Sequence, residues 1–320
     1  MHLRLIAFLA FVLVQTSPGV RAETAIVLNS VDESVSFVDT RTYQEYGRAP
    51  VCKEPHHLMA MPDDSAVIVA CAVSNELVFL DPRTGTEQKR IKNISDPYQI
   101  GFSPDKAWFV ANSLRLDRVD LYRAADFSLI ARIPAEKTPS HMAFDKASQF
   151  VFITLQDSNE ILAIDLKSRQ TAWRHPVGPT PAGIHMTPDD RHLLVGIMGA
   201  DYVEVIDWRA RRTVKRITTA RGAHNFLPRG DGRHVFVSNR TVSGSISLLD
   251  MQNLSVVESY DVPGGPDDME IREDGKELWA TARFARKVQV VNLEQKKLSH
   301  SIRVGRSPHG VSFISHAPRQ

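Results

Sequence analysis

Beyond the first two dozen residues, apolar side chains come in short blocks that alternate with polar positions or run unbroken, and turn-forming residues close each block. Ile100-Gly101-Phe102 runs into Ser103-Pro104-Asp105-Lys106. Trp108 to Ala111 then leads through a polar loop to Arg118–Leu121, another turn, and Ser128 to Ile133. Blocks this short, bounded by Pro, Asp, Ser and Gly, predict β-strands. Helical periodicity sustained over ten or more residues is absent after the N-terminal segment, so an all-β fold is expected.

The blocks repeat. Apolar strands ending in an acidic or amide residue close at Asp39, Asp81, Asp165, Asp207, Asp250 and Asn292, with Tyr122 at the remaining slot, in steps of 42, 41, 43, 42, 43 and 42. A second marker is a proline opening an apolar alternation: Pro55, Pro97, Pro139, Pro181, Ala223 in the fifth slot, Pro266 and Pro308, in steps of 42, 42, 42, 42, 43 and 42. Two independent markers with one period define seven units of four short strands, the pattern of a seven-bladed β-propeller. The chain enters in mid-unit. Thr24 to Tyr46 supply three strands and Val311 to Ile314 supply the innermost one, so the two ends should complete one blade and close the ring.

At the N-terminus, Arg4, the apolar run Leu5 to Val14, and Val20-Arg21-Ala22 before Glu23 read as a secretory signal peptide, with the propeller over residues 23–320. The run is too short to span a bilayer, and no later segment approaches spanning length. A periplasmic or secreted protein follows. The formal charge of +2 includes Arg4 and Arg21, so the processed chain is neutral and nucleic acid is disfavoured as a partner.

The second strands Val235-Phe236-Val237-Ser238-Asn239, Trp108-Phe109-Val110-Ala111-Asn112 and Ala25-Ile26-Val27-Leu28-Asn29 resemble the Tyr-Val-Thr-Asn signature of YVTN-repeat propellers. Pro308-His309-Gly310 and Ser103-Pro104-Asp105 resemble that family's Pro-His-Gly and Ser-Pro-Asp-Gly elements. The resemblance implies architecture and export. Its relatives include the haem d1 domain of cytochrome cd1 nitrite reductase with its biosynthetic homologues, lactonases, surface-layer proteins and a periplasmic DNA-binding propeller. No Cys-x-x-Cys-His motif is present, which excludes a c-type cytochrome.

Aligning the units turns sequence positions into rings around the channel. The residue after the proline is His56, Tyr98, Ser140, Ala182, His224, Asp267 and His309; the next is His57, Gln99, His141, Gly183, Asn225, Asp268 and Gly310. His224, Asp267, His309 and His56 come from four consecutive blades once the ring closes, and His57 and Asp268 thicken the same arc. Three imidazoles and a carboxylate at one opening suit zinc or copper(II), or offer a haem-type iron an axial histidine. Twelve histidines also leave several to reach the mouth by chance, as a polar rim. Arg283, Arg240 and Asn239 follow second strands flanking the arc and could orient an anionic ligand. His141 and His185 read as interior or channel residues.

Export leaves Cys52 and Cys71 in an oxidising compartment, and both belong at the same mouth, so a disulfide is expected. The alternative is a copper(I) site adding thiolates to His56 and His57, with Met59 and Met61 nearby. No Ser-His-Asp order, Walker loop, Rossmann fingerprint or His-Glu-x-x-His appears. Three functions fit: a binding module holding a metal, tetrapyrrole or partner protein at the mouth; a metal-assisted hydrolase or oxidase; and a plain interaction platform. The binding module is favoured, because no general acid or base stands apart from residues a ligand would occupy. N-terminal sequencing of exported protein should begin at Glu23; a retained leader would overturn the processing.

Overall fold

Strands two and three of most units carry apolar residues on both faces, and such a sheet has to be covered twice. In the computed structural model, which describes residues 23–319, seven antiparallel four-stranded sheets solve this by standing face to face in a ring. The leader expected over residues 1–22 lies outside the described residues. Each layer between blades draws on two neighbours: Val110, Val119 and Leu121 of the second blade pack with Met142, Val151 and Ile153 of the third. Hence Val67–Cys71 is buried at every position, whereas the outermost strand Gln44–Pro50 alternates exposed and half-buried residues.

The innermost strands, blade by blade, are Pro55–Ala60, Pro97–Phe102, Pro139–Phe144, Pro181–Met186, Ala223–Pro228, Pro266–Ile271 and Pro308–Ser312. The seventh blade is composite, as the unit count predicts. Pro308–Ser312 pairs with Thr24–Asn29 through Ile26 with Ser312, Val27 with Val311 and Leu28 with Gly310, leaving no open edge between the first blade and the last. Phe313, just beyond, is buried with Trp279 of the sixth blade, ring centroids 5.7 Å apart.

The turn joining the first two strands of a blade needs a left-handed residue. Gly275 (φ 68°) fills it in the sixth blade and Lys106 (φ 59°) and Asp190 (φ 59°) in the second and fourth. Glycine is favoured there, and other residues are tolerated singly.

Cys52 and Cys71 are bonded, with Cα atoms 6.0 Å apart, and no free cysteine remains among the described residues. This settles the alternative against a thiolate–copper site; Met59 and Met61 instead pack against the apolar layer of Ile68 and Phe79. The bond closes a 19-residue separation and should stabilise the fold by about 3 kcal/mol on the chain-entropy estimate. Denatured, unreduced protein should titrate no thiols, and Cys52→Ala/Cys71→Ala should unfold at lower urea. An unchanged midpoint would refute the contribution.

Candidate functional site

Every innermost strand breaks register just after its opening residue, so each blade carries a bulge at the same end of the channel. A bulge leaves a residue out of the ladder and re-aims its side chain. The ring of His56, Tyr98, Ser140, Ala182, His224, Asp267 and His309 sits at these breaks. Small polar residues one step before the end of the second strand hold the bulged backbone. Thr154 Oγ1 accepts from His141 N (3.0 Å) and donates to Ala182 O of the next blade (2.7 Å). Ser238 Oγ accepts from Asn225 N and donates to Asp267 O, both at 3.0 Å. Their signal in the sequence is a lone hydroxyl, Thr154 or Ser238, in an otherwise apolar stretch of strand.

Asp267 is fully buried and is the hub of the mouth. Its Oδ1 lies 3.0 Å from His224 Nδ1; its Oδ2 lies 3.3 Å from His309 Nε2, 3.3 Å from Arg240 Nη1 and 3.4 Å from Arg283 Nη1. Arg283 Nη1 is also 2.9 Å from His309 Nε2, while His309 Nδ1 is 3.0 Å from Ser30 Oγ, which donates to Pro55 O at 2.6 Å. One proton arrangement satisfies this chain. Ser30 spends its hydrogen on Pro55 O, so His309 donates from Nδ1 and accepts Arg283 at Nε2. His309 is then neutral, and its approach to Asp267 is bridged by the guanidinium rather than being an ion pair. Ser30 is a site residue that the sequence did not disclose.

His56 lies between His309 and Tyr98, with ring centroids 4.0 and 3.8 Å away. Its Nδ1 donates to Tyr98 O at 2.9 Å, leaving Nε2 as the unprotonated nitrogen. His141, expected as an interior or channel residue, also reaches the cluster, with its ring 5.1 Å from His224 and its Nδ1 2.7 Å from Ser140 Oγ. His224 is 2 % exposed; despite its closeness to Asp267, neither ring nitrogen completes a well-angled hydrogen bond, and Asp267 Oδ1 is equally without one.

The remaining candidates separate. His57 lies one layer off, its Nδ1 3.4 Å from Ile100 N. The Asp268 backbone N–H donates to Thr281 Oγ1 at 3.0 Å. Asn239 Nδ2 donates to Ser245 and Ser247 (3.1 and 3.0 Å), repeating the brace that Asn29 makes to Ser34 and Ser36 in the seventh blade. His185 stacks on Phe226 at 6.1 Å. Among the described residues, no three His, Cys, Asp or Glu side chains form a metal-binding group.

Burial governs the protonation states. It pushes His309 down to about 3, with Arg283 adding to the effect against Asp267. It takes His57 and His185 to about 4, and it lowers His56, His141 and His224 as well. Burial alone would raise the Asp267 carboxyl, but the cationic guanidinium of Arg240 beside it opposes this and the group is held well below its usual range; Asp268, without such a neighbour, is pushed well above the carboxylate range. The mouth at neutral pH therefore holds neutral imidazoles, one carboxylate and two guanidiniums.

A histidine depressed by folding takes up its proton more readily in the unfolded chain, so its stabilisation is complete above about pH 6.5 and is lost as pH falls toward the folded value. Asp268 acts in the opposite sense, its contribution being lost as pH rises. The melting temperature of the His57→Asn/His185→Asn variant should consequently fall less between pH 7 and pH 4.5 than that of the wild type. Parallel curves would overturn the burial account.

Comparisons with known proteins agree with the propeller fold. The chain is 22% identical to the protein NirF of Pseudomonas aeruginosa over 308 residues, covering 88% of this chain and 78% of that one. It is 20% identical to the dihydro-heme d1 dehydrogenase of the same organism, covering 87% of this chain but 59% of the dehydrogenase, so it spans about three fifths of that relative. A crystal structure of a functionally unknown protein from Desulfotomaculum acetoxidans superposes with a TM-score of 0.79 at 15% identity, covering 93% of this chain and all of that one. The chain matches the YNCE-like beta-propeller family over residues 4–319 and belongs to it.

Proposed function

We propose that this protein is an exported binding module that holds a carboxylate-bearing tetrapyrrole at the channel mouth. The observation that carries the reading is the charge and donor balance there. Arg240 and Arg283 face the single buried carboxylate of Asp267, leaving one positive charge in excess. Beside them, His224 Nε2 is buried without a partner, an unmet group that a ligand would satisfy. In this reading the guanidiniums pair with ligand carboxylates, and His224 and His56 present nitrogens to the ring, with His309 and Ser30 fixing Arg283. His57 and Asp268 line the next layer. A bound iron tetrapyrrole would supply axial-ligation and redox chemistry at its metal.

Similarity to a dihydro-heme d1 dehydrogenase supports the ligand class. A bare zinc or copper ion held by His56, His224, Asp267 and His309 is less favoured, because two guanidiniums already stand on the carboxylate oxygen it would need and repel a third cation. The apolar leader pattern supports a periplasmic or secreted location.

Titration of tag-free protein with iron(III) protoporphyrin IX should give stoichiometric binding with a shifted Soret band. His224→Ala should abolish the shift, and Arg240→Gln and Arg283→Gln should each weaken binding about tenfold, the scale of one charge-assisted contact. His234→Ala, at the start of the fifth blade's second strand beside Asp231, should do nothing. No binding by the wild type, or equal loss in all four variants, would overturn the reading.

A further inference from the structure

Among the described residues, the ten large hydrophobic side chains left exposed fall at two positions of the repeat. Five lie on outermost strands: Tyr46, Leu129, Val214, Val257 and Leu298. The other five, Val31, Val73, Leu116, Val242 and Phe284, lie in loops between the second and third strands of a blade. The second strand runs antiparallel to the innermost one, so all five of these loops stand at the end where the proline positions open, at the mouth.

Their blades are the fifth, sixth, seventh, first and second, one unbroken arc, which includes the four blades that carry His224, Asp267, His309 and His56. The third and fourth blades present Asp157-Ser158 and Gly199-Ala200 instead. The loops that deliver the polar groups also deliver the apolar ones. Phe284 directly follows Arg283, Val242 comes two residues after Arg240, and Val31 directly follows Ser30. Phe284 lies against Gly265: a Cβ placed on that glycine would come within 2.3 Å of Phe284 Cδ2. The ring therefore sits over the entrance to the sixth blade's innermost strand. Val242 is 75% exposed and Phe284 55%, exposure that stability alone does not favour at five equivalent places.

From this juxtaposition we infer that the arc is the apolar half of the ligand seat, selecting a flat macrocycle with carboxylates on one edge and an apolar opposite edge. The inference rests on the function proposed above and narrows it. Guanidiniums at the floor of the mouth take the acidic edge, and Phe284 and Val242 cover the apolar one, so the ring leans over the arc instead of centring on the channel. A macrocycle carrying carboxylates around its whole periphery would set charge against Phe284 and Val242 and be rejected.

The test compares iron(III) protoporphyrin IX, with two carboxylates on one edge, against iron(III) uroporphyrin, with eight around the ring. Wild-type protein should bind the first at least tenfold more tightly. The Phe284→Ser/Val242→Ser variant, whose changes lie at exposed positions and should leave the melting temperature intact, should lose about tenfold in affinity for protoporphyrin while its uroporphyrin binding holds or improves. Val257→Ser, half exposed on an outer strand, should change neither. If the wild type binds neither macrocycle, the tetrapyrrole reading itself fails. If it binds both with equal affinity, or if the double variant matches the wild type, that reading stands and the apolar seat alone is overturned.

Discussion

A sheet apolar on both faces cannot persist in water, and this constraint shapes the whole molecule. Each blade needs a neighbour on either side, and the sequence of neighbours ends only when the seventh blade meets the first. The chain meets that demand by splitting the seventh blade, pairing Pro308–Ser312 with Thr24–Asn29 and placing Phe313 in the layer shared with Trp279. Closure has a second effect. It brings residues from opposite ends of the chain, Ser30 and His309, within 3.0 Å of each other and thereby joins the seam to the polar cluster around Asp267.

The cluster surrounds a carboxylate that burial takes out of solvent. A buried carboxylate must be met by donors or give up its charge, and Asp267 and Asp268 show both outcomes on adjacent residues. Asp267 has the guanidiniums of Arg240 and Arg283 beside it and stays ionised; Asp268, lacking them, is pushed toward the neutral acid. The guanidiniums in turn depress the imidazoles that burial has already disfavoured as cations. Charge at the mouth is thus concentrated on two arginines and one aspartate, and the histidines serve as neutral donors and acceptors.

The architecture was legible because a period of about 42 residues converts position in the chain into position around an axis. The ring of residues after each proline, the arc of His224, Asp267, His309 and His56, and the joining of Cys52 to Cys71 all follow from that indexing. What the indexing missed depends on local register. In the first blade the ladder resumes at His57, opposite Ala70, whereas in the third it resumes only at Met142, opposite Ile153. Equivalent positions in the repeat are therefore not equivalent in the ladder, and His141 stays within the bulge and reaches His224 while His57 does not. Asn239 spends its Nδ2 on bracing the hairpin, as Asn29 does in the seventh blade.

Seven near-identical units would give a symmetric mouth, and a symmetric mouth has no means of orienting an asymmetric ligand. Departures from the repeat break that symmetry, and they are concentrated. The charge and three of the imidazoles occupy the arc from the fifth blade to the first, joined by His141 from the third, where the repeat offers Ser140 and Ala182 on the opposite side. Exposed Val242, Phe284, Val31 and Val73 follow the same arc on the loops above. A loop that carries Arg283 inward and Phe284 outward fixes the two halves of this polarity at one backbone position, so neither can drift relative to the other while the blade beneath remains folded. The rigid part of the molecule is thereby the part that repeats, and the specific part is the set of residues that fail to repeat, held in place by bulges common to all seven blades.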